Sequence, residues 1–357
     1  MRVVVVGATG NVGTAVLRAL GRAPEVTSVV GIARRRPDVD RPPYSSVEWH
    51  TLDVGALHPG PAPGSTNDDR LTAIFRGADA VIHLAWMIQP NHERDLMRRT
   101  NVGGTRRVAL ACVHAGVPHL VCASSWAAYS PVDDDVPRDE SWPTGGIRTS
   151  HYSVDKAAQE RVLDQVERDH PDLTVSRLRT ALVFQAGAGA EIVRYFIGPF
   201  VPLSLLRPGV LPVLPVPAGL RLHVVHADDA ADAYLRVVFQ RAPGAFNVTA
   251  EPLLRPKHLA EILDHGRVLT LPPALLRPAM ALAWNLRLLA SDAGWLDMGM
   301  GVPVMDGRRL RTELGWSARH GADEALREML GGIAGLEGSS SAPLRPRERR
   351  LNPSART

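Results

Sequence analysis

The sequence predicts a doubly wound α/β fold, in which a parallel sheet carries helices on both faces and a smaller, mostly helical C-terminal domain follows. The first half of the 357 residues alternates short apolar runs with amphipathic stretches, the pattern of βαβ units. A glycine-rich segment at residues 7–13 joins the first apolar run to the first amphipathic stretch. After about Thr180 proline- and leucine-rich segments replace this alternation, which argues against long regular elements there.

The individual elements follow in chain order. Buried strands are predicted at Arg2–Val6, Val26–Ile32, Ala80–Leu84, Leu120–Ala123 and Thr174–Leu178, and helices at Asn11–Leu20, Arg99–Ala115 and Ser153–Asp169. The polar segment His58–Asp69 is predicted to be a surface loop, and the proline- and leucine-rich segment Pro199–Pro217 is predicted to lack long regular elements. The apolar stretch Val268–Val304 is typical of helices, either over a pocket or as ordinary core helices.

The formal net charge of +4 comes from the C-terminus. Residues 338–357 carry five arginines and one glutamate, so the rest of the chain is neutral, which argues against a nucleic-acid-binding face. Residues 336–357 are expected to be a disordered basic tail, and deletion of Gly338–Thr357 is expected to leave the melting temperature and ligand affinity nearly unchanged. The sequence contains no run of 18 apolar residues, no signal-peptide pattern and no cysteine metal motif, which predicts a cytoplasmic protein without a membrane span or metal.

The glycine-rich segment has the spacing of a dinucleotide-binding turn. Strand Arg2–Val6 runs directly into Gly7-Ala8-Thr9-Gly10-Asn11-Val12-Gly13 and then into a predicted helix. Glycines allow a tight turn and a close approach of the backbone to a pyrophosphate, while the helix N-terminus presents free N–H groups. The segment therefore predicts a Rossmann-type nucleotide site.

The end of the second strand bears on which dinucleotide binds. NAD sites usually have an acidic residue about 20 residues past the glycines, where it accepts from the ribose 2′-hydroxyl. Here Ala33 is followed by Arg34 and Arg35, with no acid before Asp38. The missing carboxylate and the two guanidinium groups favour NADP, with NAD as the alternative.

Tyr152 and Lys156 lie one helical turn apart on one face of a predicted helix. A lysine ammonium close to a tyrosine favours its phenolate and can also bind a nicotinamide ribose, so this pair predicts a proton donor or acceptor that also binds the cofactor. Ser125 ends a predicted strand, at the sheet edge where open α/β sheets place their active clefts. Because arginine outnumbers lysine 39 to 2, a lysine at this position is notable.

Several short segments occur in an order typical of one family. They are GATGNVG (7–13), Asp53-Val54, DAVIHLA (79–85), NVGGT (101–105), SSWAAY (124–129), YSVDK (152–156), HVVHADD (223–229) and GAFN (244–247). Together, over roughly residues 1–335, the sequence resembles the extended short-chain dehydrogenases/reductases, the NAD(P)-dependent epimerase/dehydratase family.

The resemblance implies a role for each matching residue. Ser125, Tyr152 and Lys156 would be the catalytic trio, with Ser125 preferred to Ser124 because it lies four residues before Tyr129. The remaining implied positions bind the cofactor: Asp53 and Val54 at the adenine, Leu84 and Ala85 along the cofactor, and Asn101 near the nicotinamide. Taken alone, Asp53 could be a solvated turn acid and Asn101 a helix N-cap.

Departures from the family pattern narrow the expected chemistry. Trp126 and Ala127 stand where the sugar-nucleotide dehydratases of the family carry an Asp-Glu pair, so dehydration is disfavoured. Trp86 stands where members of the family often have a small residue. Together with the apolar Val268–Val304 stretch, this difference favours an apolar substrate over a nucleotide sugar.

The sequence thus predicts a nucleotide-binding domain at 1–180, a substrate-binding region at 181–335 with segments returning to the first domain, and the tail at 336–357. The expected activity is an NADP-dependent carbonyl reductase or alcohol dehydrogenase acting on a small, largely apolar molecule. The alternatives are a sugar-nucleotide epimerase with tightly bound NAD and a non-catalytic NADP-sensing regulator. The sequence leaves a homodimer open.

Overall fold

In the computed structural model, residues 1–56, 67–89, 92–197, 210, 213–263 and 267–345 are described. The strands are β1 (Arg2–Val6), β2 (Ser28–Ala33), β3 (Glu48–Thr51), β4 (Ala80–His83), β5 (His119–Ser125), β6 (Thr174–Thr180), β7 (Leu182–Phe184), β8 (Leu214–Pro217), β9 (Leu222–His226), β10 (Gly244–Val248), β11 (Ala250–Leu254) and β12 (Val268–Leu271). The helices are α1 (Asn11–Leu20), α2 (Asn67–Phe75), α3 (Arg94–Arg98), α4 (Gly104–Ala115), α5 (His151–Asp169), α6 (Gly189–Ile192), α7 (Ala227–Gln240), α8 (Pro256–Ile262), α9 (Pro273–Asn285), α10 (Ala293–Gly301), α11 (Arg308–Leu314) and α12 (Ala322–Gly335).

A seven-stranded sheet with the order β10-β6-β5-β4-β1-β2-β3 forms the body of the molecule, and every pairing in it is parallel. Both faces of the sheet are buried, as a continuous apolar run such as Arg2–Val6 predicts. Val3 and Val5 belong to one core cluster, whereas Val4 and Val6 belong to the cluster on the opposite face. This architecture confirms the predicted doubly wound fold, and helices α8 to α12 form the helical C-terminal region that the sequence predicts.

Two small sheets lie outside this body, in the half of the chain where the sequence predicts a mostly helical domain. One has the order β11-β9-β7, and the other pairs β8 with β12. The short strand β8, Leu214–Pro217, lies within the segment where the sequence argues against long regular elements, whereas residues 198–209, 211 and 212 lie outside the described ones. A two-stranded sheet has only edges, where the N–H that proline lacks is not required. β10 returns from the C-terminal half to pair with β6.

Two other predicted segments differ in detail from the structure. The predicted helix Arg99–Ala115 begins with a π-helical turn over Arg99–Gly103 before the α-helix starts at Gly104. The predicted loop His58–Asp69 is already helical from Asn67, where α2 begins, and residues 57–66 lie outside the described part of the chain.

The expectation of a disordered tail from residue 336 is wrong as far as Arg345. After α12, residues 339–344 fold back onto the body: Ser341 is fully buried, and Leu344 is 1% exposed. Hydrogen bonds of the serine hydroxyls hold this segment on the body, and such contacts produce no apolar periodicity in the sequence. Residues 346–357 lie outside the described ones. Among the described helices, none has the length and apolar character required to cross a bilayer.

Candidate active site

The glycine-rich turn lies between β1 and α1 and has the geometry that its sequence predicts. Gly7 has a φ of +89°, and a Cβ there would come within 2.6 Å of the Ala85 nitrogen. A Cβ on Gly13 would collide with the carbonyl of Gly7, so only glycine allows α1 to start this close to the turn. Gly10 caps α1 without a side-chain hydrogen bond, which leaves the first amide groups of α1 to face an anion.

One cavity, here called the glycine-loop cavity, runs from this turn to the carboxyl end of β2. Predicted cofactor-binding residues form much of its wall, namely Gly7, Thr9, Gly10, Arg34, Arg35, Asp53, Val54, Leu84 and Ala85. Asp53 also accepts a hydrogen bond from the Gly55 N–H at 2.8 Å, so it is both a wall residue and a turn acid. The cavity thus brings together predicted cofactor-binding residues that are up to 78 positions apart in the sequence.

A second cavity, here called the Tyr152 cavity, continues from the same turn toward the ends of β5 and β6. Its wall includes the remaining predicted residues Asn11, Val12, Gly13, Ser125, Tyr152 and Lys156. The side chains that complete it are mostly apolar or aromatic: Trp86, Ile88, Trp126, Phe184, Phe196, Trp295 and Met298. Trp295 and Met298 come from α10, so part of the Val268–Val304 stretch does cover a pocket.

Hydrogen bonds from successive turns of α5 to the end of β5 and to the short turn that follows it fix the positions of Tyr152 and Lys156. The Ser153 hydroxyl donates to the Ala127 carbonyl at 2.5 Å, and Lys156 Nζ donates to the Ala123 carbonyl at 2.8 Å. One turn further, Glu160 Oε1 accepts from the Ser124 hydroxyl at 2.5 Å. Because these residues share one face of α5, the helix is fixed in register with the strand that ends at Ser125.

The electrostatics of the Tyr152–Lys156 pair differ from the prediction. Burial raises the pKa of Tyr152 to about 12, and its hydrogen bond with the Ser125 hydroxyl only partly opposes that rise. Burial also lowers the pKa of Lys156 to about 7. The Lys156 ammonium lies 3.5 Å from the centre of the Trp86 ring and 6.0 Å from that of the Tyr152 ring, so the aromatic ring nearest to it is that of Trp86.

Asn101 is the one predicted cofactor-binding residue that lines neither cavity. Its side chain is 1% exposed and holds the segment after β4, accepting from the Met87 N–H at 2.7 Å and donating to the Met87 carbonyl at 3.0 Å. It is also not a helix N-cap, because it lies inside the π-helical turn. Asn101 therefore supports the wall that contains Trp86 and Met87 from behind.

Glu191 and Tyr195 line both cavities, and sequence reasoning did not identify either. Burial raises the pKa of Glu191 to about 7, against the effects of a hydrogen bond with Tyr195 and the charge of Arg194. Both residues lie in a short helical segment without amphipathic periodicity, so no signal in the sequence separates them from their neighbours. A carboxyl group at this position adds negative charge to the passage between the two cavities above neutral pH.

A comparison with family models decides the classification. Residues 3–249 match the model described as the NAD dependent epimerase/dehydratase family. The chain belongs to this family. By that membership it is an enzyme of the NAD-dependent oxidoreductase and epimerase class, and the resemblance stated from its motifs is confirmed.

Individual relatives are distant. L-Arabinose 1-dehydrogenase (NAD(P)(+)) of Haloferax volcanii is 35% identical over 124 residues, which are 35% of this chain and 41% of the relative. The chain therefore matches less than half the length of this curated relative. Among solved structures, the dTDP-glucose 4,6-dehydratase DesIV of Streptomyces venezuelae, with NAD and TYD bound, has a TM-score of 0.68 at 20% identity, covering 94% of this chain and 97% of that one. The Thermus thermophilus UDP-glucose 4-epimerase complex with NAD has a TM-score of 0.65 at 20% identity, covering 94% and 99%.

The residues present suit a dinucleotide. The uncapped start of α1 and the close-packed glycines suit a pyrophosphate, and the two cavities share Gly7, Gly10 and Leu84, so one extended ligand can pass from one to the other. The adenosine half would lie between β2 and Asp53, and the other half would approach Ser125 and Tyr152.

Proposed function

We propose that the protein is an NADP(H)-dependent oxidoreductase of the carbonyl reductase or alcohol dehydrogenase type, acting on a small, largely apolar substrate. The observation that carries the proposal is the composition of the Tyr152 cavity. Within the described residues, its wall has two charged side chains, Lys156 and Glu191, and no arginine, although the chain contains 39 arginines. A diphosphate is usually held by guanidinium groups, so this wall favours an uncharged molecule over a nucleotide sugar.

The reaction follows from the placement of the three polar groups. The nicotinamide of a bound cofactor supplies or accepts the hydride. Tyr152, which burial keeps protonated at neutral pH, would donate its proton to the carbonyl oxygen during reduction, while Ser125 would hold that oxygen by a hydrogen bond. Lys156 would bind the ribose and supply positive charge near the phenolate that remains. The reverse transfer converts an alcohol to a carbonyl.

A substrate screen tests this function directly. We expect reduction of small apolar ketones or aldehydes with NADPH, or oxidation of the matching alcohols with NADP, followed at the nicotinamide absorbance. We also expect no 4-keto-6-deoxy product from dTDP-glucose or GDP-mannose, because Trp126 and Ala127 cannot transfer protons. Detection of that product, or tightly copurified NAD with sugar epimerisation and no net turnover, would contradict the proposal.

The cofactor preference is tested at Arg34 and Arg35, which line the glycine-loop cavity beside Ala33. We expect NADPH to bind more tightly than NADH. The double variant Arg34→Ala/Arg35→Ala should lose about 10- to 100-fold in NADPH affinity, since a hydrogen bond to a charged group contributes about 1.5–3 kcal/mol. Its NADH affinity should change little. Arg36→Ala is the matched control, because Arg36 is exposed and not part of the cavity wall. Tighter binding of NADH by the unmodified protein would refute the NADP assignment.

A further inference from the structure

The segment of residues 339–344, here called the C-terminal strap, lies directly on the glycine-rich turn. The fully buried Ser341 donates its hydroxyl proton to the Thr9 carbonyl at 2.9 Å. The Ser339 hydroxyl lies 3.1 Å from the Tyr44 hydroxyl, which in turn lies 3.0 Å from the hydroxyl of Thr14 on α1. The strap is thus bonded both to the turn and, through Tyr44, to the first helix behind it.

The strap also closes on itself and reaches the cavity wall. The Ser339 N–H donates to the Leu344 carbonyl at 3.0 Å, and Leu344 is 1% exposed, so the strap forms a compact loop with an apolar anchor. Pro343 lines the glycine-loop cavity together with Thr9 and Gly10. Residues more than 330 positions apart in the sequence therefore face the same space.

A second contact joins the strap to the passage between the two cavities. Arg194 donates a hydrogen bond to the Pro343 carbonyl, and its neighbours Glu191 and Tyr195 line both cavities. Two parts of the wall of the glycine-loop cavity thus come from the strap and from this short helical segment. Neither part belongs to residues 1–180, where the sequence places the whole nucleotide site.

We propose that the C-terminal strap is part of the dinucleotide site. This inference rests on the dinucleotide binding that the proposed function requires. The Thr9 peptide precedes the N-cap of α1, so the hydrogen bond from Ser341 fixes the orientation of the turn whose amide groups would meet the pyrophosphate. A turn that is already held in its binding conformation loses less entropy when the ligand binds, which raises affinity. Pro343 adds a rigid apolar surface beside the ligand.

Two truncations separate the strap from the basic residues that follow it. One chain ends at Arg345 and retains the strap, and the other ends at Glu337 and lacks it. In calorimetric titrations, we expect the chain ending at Arg345 to bind NADPH and NADH with the same affinity as the full chain. The chain ending at Glu337 should bind both at least about tenfold more weakly, because the pyrophosphate is common to both cofactors.

A point variant tests the same contact without removing a segment that contributes to folding. Ser341→Ala should weaken both cofactors by about three- to tenfold, the effect of one lost hydrogen bond. Ser340→Ala, from the same run of three serines, is the matched control and should bind normally. Melting temperatures without cofactor show whether each variant is folded.

The outcomes distinguish the strap from the proposed function. Unchanged affinity in the chain ending at Glu337 and in Ser341→Ala would overturn the role of the strap while leaving cofactor binding intact. An equal loss in both truncations would assign the effect to the distal arginines and also overturn it. Absence of dinucleotide binding in the full chain would remove the proposed function and the strap's role together.

Discussion

Replacement of Tyr152 by phenylalanine is expected to lower turnover by about 10²–10⁴-fold while NADPH binding is retained, because proton transfer by a positioned side chain contributes a factor of that order. The phenylalanine ring preserves the packing of Tyr152 against Trp295, whose ring centre is 4.9 Å away, and against Trp86 at 5.9 Å. Only the hydroxyl group that reaches Ser125 is deleted. The effect therefore reports proton transfer rather than loss of structure.

Two further variants divide the roles within the same site. Ser125→Ala should lower turnover with little change in cofactor affinity, because Ser125 is assigned to the reacting oxygen. Lys156→Met should weaken both turnover and cofactor binding, since the lysine is assigned to the ribose as well as to the phenolate. Steady-state kinetics on a substrate from the screen, paired with NADPH titration of each variant, measure both quantities. Near-full turnover in Tyr152→Phe would place the proton donor elsewhere.

The parts of the site that could be predicted from sequence are those that local geometry fixes. The spacing of Gly7, Gly10 and Gly13 encodes a turn whose dimensions depend on few neighbours, and the structure shows that turn. Tyr152 and Lys156 are one turn apart, and a helix of any orientation keeps them adjacent. The strands of a parallel sheet all end at the same edge, so Arg34 after β2 and Ser125 at the end of β5 lie along that edge.

The environment of each side chain could not be predicted, because it depends on contacts made across the sequence. The position of Trp86 over the Lys156 ammonium determines which groups that charge affects, and residues 70 positions apart make this contact. Asn101 was assigned to the cofactor from the family pattern, yet its amide is used to hold the backbone of Met87. The sequence specifies which side chains are present in the site, but it does not specify which neighbouring groups each side chain contacts in the fold.

The C-terminal strap shows why composition alone predicts disorder for a segment that is docked on the body in the structure. A run of serine, proline and arginine without apolar periodicity is typical of a disordered segment. Docking here depends on hydroxyl groups meeting particular partners, such as Ser341 with the Thr9 carbonyl, and on the single buried side chain of Leu344. Such contacts contribute little to the hydropathy averaged over a stretch of sequence, so the hydropathy pattern does not reveal them.

Glu160 has the largest expected effect on stability, and its role was also missed from the sequence. Its side chain is fully buried and accepts hydrogen bonds from Arg179 Nε at 3.0 Å, from Arg179 Nη2 at 3.1 Å and from Arg177 Nη1 at 3.2 Å. Burial raises the pKa of this carboxyl, but the two guanidinium groups outweigh it and hold the pKa below its ordinary value. The pattern Arg177-Leu178-Arg179 is the available signal, because alternate residues of β6 point to the same face.

We expect Glu160→Ala to lower the free energy of unfolding by about 3–5 kcal/mol, because it leaves the buried guanidinium of Arg179 without its carboxylate partner. Arg179 is less than a tenth exposed, so water cannot replace the carboxylate there, whereas Arg177 keeps its ion pairs with Asp164 and Glu167. The matched control is Asp164→Ala, one turn further along α5. Asp164 also pairs with Arg177, but its side chain is 43% exposed, so its loss should cost at most about 1 kcal/mol. Because Glu160 also accepts from Ser124, next to Ser125, Glu160→Ala should lower turnover in the protein that remains folded. Urea unfolding measures the difference between the two variants, and equal midpoints would show that the buried pairing does not stabilise the fold.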